Sequence, residues 1–397
     1  MSINTRVPPR QANWFTYFPD DYRWSAAVAG VLSTAPYGGA ELGEVDRVGR
    51  RLRGKVGDDV AWFEAWCEEG RRLRAWGEEA EAAGHRLTAA QVHLRACSYL
   101  QIGERFRTPK DQAAIDAYRE ALDSFRRFVR LTDRPRIELI EVPYEGSGIP
   151  AYFVHAENAP PGPRPCVVYF DGLDITKELC YLRGAPEMVR RGMSCLIIDG
   201  PGNGEAIRFR GLPVRHDCEV AGIACLDYLE TRSDVDAGAV AVLGISLGGY
   251  FAARVAAFEP RFRAAVAWGA IWDYHATWRT RLEQRFQTQL SVPGHHIQWV
   301  LGMETAEAAL RKLEEFRLDG VAQRIRCPFM ILAGEEDEQI PIADARALFG
   351  AVGSKDKELR IFTAAEGGAQ HCQHDYLTRA STAYSDWLAD KLIGAPA

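Results

Sequence analysis

A serine hydroxyl attacks a carbonyl carbon efficiently only when a base takes its proton and a third group fixes that base. Ser246 stands in Gly244-Ile245-Ser246-Leu247-Gly248-Gly249, directly after the apolar run 239–243 and directly before 250–258, a stretch of helical composition. Strand, sharp turn and helix in that order form the setting of a nucleophile elbow, whose crowded turn demands glycine two residues to either side of the serine. Downstream, the apolar run 329–332 leads into Ala333-Gly-Glu-Glu-Asp337-Glu-Gln-Ile-Pro341. Asp337 has the G-x-x-D-x-x-x-P spacing that suits the acid, with Glu335, Glu336 and Glu338 as substitutes. Beyond that loop the histidines are His371 and His374, in Glu366-Gly-Gly-Ala-Gln-His371-Cys-Gln-His374-Asp375. His371 is nearer the glycines that let a loop approach the serine, so it is the expected base, and His374 a neighbouring polar or substrate contact. Charge growing on the attacked oxygen needs two backbone donors. The amide of Leu247 is one, and that of Leu173, in Phe170-Asp171-Gly172-Leu173, is the other.

Other motifs carry less. Asp199-Gly-Pro-Gly-Asn-Gly204-Glu205 superficially suggests a phosphate-binding loop, but Pro201 and the lack of G-x-G-x-x-G spacing favour a structural turn at a strand end. Asp273, just past the run 266–270, is a candidate auxiliary or substrate-orienting acid. His295, His296, Trp272, Trp278 and Trp299 either line a pocket or fill the core of a lid. A zinc site built from His371, Cys372 and His374 lacks a second ligand cluster, so no metal and no cofactor are expected. The 48 Lys+Arg are dispersed and outnumbered by 54 Asp+Glu, which argues against a nucleic-acid partner.

These residues need a scaffold. The runs 166–170, 194–198, 239–245, 264–268, 329–332 and 359–362 are short, continuously apolar and separated by helical stretches, the pattern of a mostly parallel sheet covered by helices on both faces. Ahead of them, 137–142 and 150–155 read as a hairpin turning at Tyr144–Gly148. Residues 14–135 are helical in texture: Trp62, Trp66, Leu73 and Trp76 recur at turn-like intervals, Thr88-Ala-Ala-Gln91 has the spacing of a capping box, and another helix is expected over about 112–131. The reading is therefore an α/β fold with an N-terminal helical domain over 1–135 and a catalytic domain over 136–397. That domain carries a helical lid insertion at about 273–322. The 397 residues exceed one ordinary compact domain, which this division accommodates. Nine cysteines without a CxxC pair read as reduced and mostly buried. The start MSINTRVPPRQANW has no apolar leader and no stretch approaches the ~18–20 apolar residues that cross a bilayer, so a soluble cytoplasmic protein without a membrane partner is expected.

Taken together, Asp171-Gly-Leu-Asp-Ile-Thr-Lys177-Glu178, Asp199-Gly-Pro-Gly-Asn-Gly-Glu205, Gly244-Ile-Ser-Leu-Gly-Gly249, Ala267-Trp-Gly269, Gly334-Glu-Glu-Asp337 and His371-Cys372 resemble 2,6-dihydroxypseudooxynicotine hydrolase and the fungal polyketide-shortening hydrolases of pigment synthesis. Tyr22-Arg-Trp24-Ser25, Tyr37-Gly-Gly39 and Glu44-Val45 extend the likeness into the helical region. The resemblance implies an α/β-hydrolase core, a helical domain that helps enclose the site, a homodimer, and a small-molecule substrate. It implies hydrolysis of a carbon–carbon bond beside a ketone in an aromatic or polyketide-like compound, with Ser246 as nucleophile, His371 as base and Asp337 orienting it. Lys177 and Glu178 enter as possible auxiliary or substrate contacts. The alternatives are a carboxylesterase, an acyltransferase or cyclase using the same acyl-enzyme, and a non-catalytic binding protein on the hydrolase scaffold.

Overall fold

The computed structural model describes residues 15, 17–283, 292 and 294–394. The start 1–14 and part of the expected lid, 284–291 and 293, lie outside the described residues. Two compact units emerge, Met1–Thr132 with Thr277–His296, and Asp133–Ala276 with Ile297–Ala397.

The first unit contains helices α1 (Tyr22–Leu32), α2 (Leu42–Leu52), α3 (Asp59–Ala82), α4 (Arg86–Arg105) and α5 (Gln112–Leu131). Three of them start on an aspartate whose carboxylate takes up orphan amides of the first turn: Asp21 from Trp24, Asp58 from Val60 and Ala61, Asp111 from Ala114. The start of α4 corrects the capping box expected at Thr88. The helix begins at Arg86, immediately after Gly84 closes α3 at φ +76°, so Thr88 already lies inside the first turn. Trp24, Trp62 and Trp66 are fully buried with Tyr99 and Phe106, the Trp24 and Trp62 rings 4.8 Å apart. Trp76 departs from the expected stripe, being 41% exposed and faced by the guanidinium of Arg95. In the same core Glu44 accepts from Arg95 Nε at 3.0 Å and from the Tyr99 hydroxyl at 2.8 Å, so its buried charge is paired.

The second unit is built on one eight-stranded sheet. In chain order the strands are β1 (Ile137–Tyr144), β2 (Ser147–Val154), β3 (Arg164–Phe170), β4 (Ser194–Ile198), β5 (Val235–Ile245), β6 (Ala264–Trp268), β7 (Phe329–Gly334) and β8 (Lys357–Phe362), and in space they run β1-β2-β4-β3-β5-β6-β7-β8. The β1–β2 pair is antiparallel and turns at Glu145-Gly146, both with positive φ, as a tight hairpin turn requires. From β4 to β8 all pairings are parallel. Every residue of β4, β6 and β7 is buried, whereas the edge strands β1 and β8 are only partly covered. Helices α6 (Lys177–Tyr181), α7 (Ala185–Arg190), α8 (Gly204–Arg210), α9 (Glu219–Glu230), α10 (Leu247–Phe258), α11 (Tyr274–Glu283), α12 (His296–Leu301), α13 (Ala306–Leu313), α14 (Ile342–Ala351) and α15 (Leu377–Leu392) follow in chain order, α11 running mostly through the 277–296 segment that belongs to the first unit. Along 273–322 the described residues are helical or irregular apart from one isolated bridge between Asp273 and Arg317. All nine cysteines are free thiols. Among the described residues no helix is long and apolar enough to cross a membrane.

Candidate active site

At the carboxyl end of β5 the chain turns through Ser246, at φ 57° and ψ −118°, straight into α10. A non-glycine residue there is strained, and the neighbouring contacts leave it no alternative. The Ser246 amide donates to the Trp268 carbonyl on β6 at 2.6 Å, and the Ser246 carbonyl accepts from Gly249 at 2.8 Å. A Cβ on Gly244 would penetrate the Gly248 carbonyl, and one on Gly248 would lie 2.5 Å from the Asp171 carbonyl oxygen. The two glycines expected from the crowding of the turn are thus required by backbone, not by side chains.

Ser246 Oγ lies 3.0 Å from His371 Nε2, and His371 Nδ1 lies 2.7 Å from Asp337 Oδ2. The nitrogen facing a carboxylate carries the proton, which leaves Nε2 as the acceptor for the serine hydroxyl. Asp337 follows β7, and its other oxygen accepts from the amides of Gln339 and Ile340 at 2.8 and 2.9 Å, which locks the carboxylate's direction. Burial opposes the imidazolium, but the adjacent Asp337 charge outweighs it and holds His371 well above the ordinary histidine value. Cys372 Sγ sits 3.4 Å from the same Nε2.

The other sequence candidates fall in several places. Leu247 is the first residue of α10 and Leu173 is buried next to Gly172. A Cβ on Gly172 would stand 3.2 Å from Ser246 Cβ, so the 171–175 loop lies against the nucleophile. The His374 ring is 6.0 Å from the His371 ring, edge to face. Asp273 starts α11, accepting from the Ala276 amide at 2.8 Å and pairing with Arg317 at 3.4 Å. Asp344 takes the Trp272 amide at 2.9 Å. Lys177 and Glu178 are interior groups, 1% and 0% exposed. The Lys177 ammonium is held by Glu178, Asp199 and Glu205 at 2.7–2.8 Å, and the Tyr152 hydroxyl donates to Glu178 at 2.7 Å. These three carboxylates have the spacing of a cation site, and the cation between them is the lysine.

Sequence reasoning missed the residues that hold the histidine loop. Asp375 accepts from the amides of Gly368, Ala369 and Gln370 at 2.7, 3.0 and 3.1 Å. The Trp268 indole donates to Gln373 Oε1 at 2.6 Å, and Gln370 Nε2 donates to Glu336 at 2.9 Å. The available signal was an aspartate a few residues beyond a Gly-Gly pair, which by itself reads as solvated loop charge.

Comparison with known proteins places the chain. The pattern of the prolyl oligopeptidase family matches residues 186–393, more than half of the chain. Hydrolase acrC of Aspergillus aculeatus is 30% identical over 400 residues, spanning 89% of this chain and 92% of its own. The chain belongs to this α/β-hydrolase family. A second relative is 20-hydroxy-prefusarin hydrolase FUS2 of Gibberella moniliformis, 28% identical over 90% of this chain and 94% of its own length. Among solved structures of the family, that of 2,6-dihydroxy-pseudo-oxynicotine hydrolase superposes with a TM-score of 0.76 at 25% identity, covering 91% of this chain and 96% of the other. The resemblance drawn from the motifs holds, and the protein is an enzyme of the α/β-hydrolase fold.

Proposed function

We propose that this hydrolase uses Ser246, His371 and Asp337 as its triad and cleaves a carbon–carbon bond beside a ketone, in retro-Claisen fashion, in an aromatic or polyketide-like small molecule. The observation that carries the triad is the continuous run of contacts from Ser246 Oγ through His371 to Asp337, at 3.0 and 2.7 Å. In this reading Oγ adds to the carbonyl carbon as its proton passes to Nε2, and the resulting oxyanion is met by the amides of Leu247 and Leu173. Collapse breaks the bond to the α-carbon, whose electron pair leaves as an enolate delocalised onto a second carbonyl. His371 returns the proton to that carbon. Water, deprotonated by the same imidazole, then releases the acid from Ser246.

The preference for carbon over oxygen as leaving atom rests on the motif resemblance and on relatives named for 20-hydroxy-prefusarin and 2,6-dihydroxy-pseudo-oxynicotine. The test is to offer aryl β-diketones and aryl esters side by side to wild-type protein and to Ser246→Ala. Ketone plus acid from the diketone, lost in the variant, supports the proposal. Alcohol plus acid from the ester alone makes the enzyme a carboxylesterase. A transferred or cyclised product without free acid makes it an acyltransferase or cyclase. Fluorophosphonate labelling that survives Ser246→Ala would remove the nucleophile assignment. His371→Ala should abolish turnover and His374→Ala should cost much less; the reverse order would reassign the base.

A further inference from the structure

The turn 199–205 joins β4 to α8 and plays no part in the chemistry above, yet it is tied to the loop that does. Asn203 is 2% exposed, and its side-chain amide donates to two carbonyls of that loop, those of Gly172 and Ile175, the second at 3.2 Å. Asp199 takes the Lys177 amide at 2.9 Å with one oxygen and the Lys177 ammonium at 2.7 Å with the other. Its second oxygen also accepts the Glu205 amide at 2.8 Å. A Cβ on Gly204 would overlap the Asp199 carboxylate, so the turn can close only with glycine there, at φ +41°. The same 171–175 loop abuts the elbow through Gly172, where a Cβ would stand 3.0 Å from the Ile245 carbonyl oxygen and 3.2 Å from Ser246 Cβ.

The Gly172 carbonyl and the Leu173 N–H belong to one peptide unit. In a planar trans peptide the two point in opposite directions. A donor that holds the Gly172 oxygen on one side therefore aims the Leu173 hydrogen at the other. From this geometry we infer that Asn203 is a positioning residue for the oxyanion donor of Leu173, and that the Asp199–Glu205 turn serves to present it. The inference rests on the triad reading, since it needs an oxyanion to be stabilised next to Ser246. Aspartate in place of Asn203 would keep the shape but set carboxylate oxygens against two carbonyl oxygens. The Leu173 peptide would then lose the group that fixes its rotation.

The experiment compares wild type, Asn203→Asp and Asn203→Ala with p-nitrophenyl butyrate as substrate, and with a trifluoromethyl ketone whose serine adduct bears the oxyanion. Active sites are counted by fluorophosphonate titration. Expected is a drop of about 100-fold in kcat per titrated site, the lower end of what removing an oxyanion donor costs. KM should stay nearly constant, and affinity for the trifluoromethyl ketone should fall by the same factor as kcat/KM. If the variants only melt earlier and titrate fewer sites, with kcat per site and inhibitor affinity unchanged, Asn203 is structural and the inference is overturned. Wild-type protein that hydrolyses without labelling at Ser246 overturns the triad reading, and this inference with it.

Discussion

The elbow around Ser246 and the loop around His371 bring their atoms within 3.0 Å of each other, but they are held by different means. Elbow geometry is enforced by backbone against backbone: glycines at 244 and 248 leave room for carbonyls, and the strained serine is tied to β6 by its own amide. The histidine loop also carries strain, with Cys372 at φ 48° and Gln373 at φ 50°, yet neither residue is glycine. Side chains hold it instead: Asp375 gathers three amides and Trp268, 105 residues away in sequence, grips Gln373. A turn fixed by backbone crowding has no side-chain bond that can be removed singly. A turn held by side chains can be loosened one bond at a time.

Three substitutions sharpen this contrast. The largest effect belongs to Asp337→Asn, which removes the charge that faces His371. A fall of about 10⁴ in kcat is expected, as when a triad acid becomes an amide. The pH profile carries the sign: His371 must be neutral to accept the serine proton, so kcat/KM falls as pH drops through its pKa. Asp337 holds that pKa above the ordinary value of about 6.5. The acid limb of the wild type should thus lie above that value, and residual activity in Asp337→Asn should persist to lower pH. A limb that does not move would mean Asp337 is not the partner that sets it. Next comes Gly244→Ala, which drives a methyl group into the Gly248 carbonyl. About 100-fold or greater loss of activity is expected, the scale of displacing a reacting group by about 1 Å. Fluorophosphonate labelling at the wild-type rate would contradict it. The smallest is Asp375→Ala, which frees three amides without forcing any clash. A loss of about 10-fold in kcat is expected, with hydrogen exchange accelerated at 368–370 but not at 244–249. Equal acceleration in both stretches would show that the two turns are one cooperative unit.

How much was legible in the sequence follows the same division. Ser246, Asp337 and His371 could be singled out because a glycine pattern, an acidic strand-end loop and chain order all act over a few residues. The β1–β2 hairpin, the parallel core and helix α5 were legible for the same reason: periodicity and turn chemistry are local. The network around Lys177 and Glu178 was not legible, because nothing local says that three carboxylates converge on one ammonium inside the fold. Asn203 and Trp268 went unassigned because their partners are set by tertiary packing, and Asp375 because an aspartate near glycines reads equally as solvated loop charge. The start of α4 lies three residues before the one the capping-box spacing predicts, since Thr88-Ala-Ala-Gln91 has the right letters while Gly84 decides where the preceding helix ends.

Asp171 bears on the thermodynamics of the whole fold. Its carboxyl group is fully buried, and neither oxygen has a hydrogen-bond partner among the described residues. Burial first, and the nearby Asp199 charge second, push it well above the usual carboxylate range, so the native chain holds a proton there over a range of pH in which the unfolded chain has given it up. Between the ordinary aspartate value of about 3.9 and the raised native one, the folded form binds more protons than the unfolded form, and stability declines as pH rises. Within that window folding of this hydrolase is accordingly a proton-uptake reaction at Asp171, in the loop beside the nucleophile.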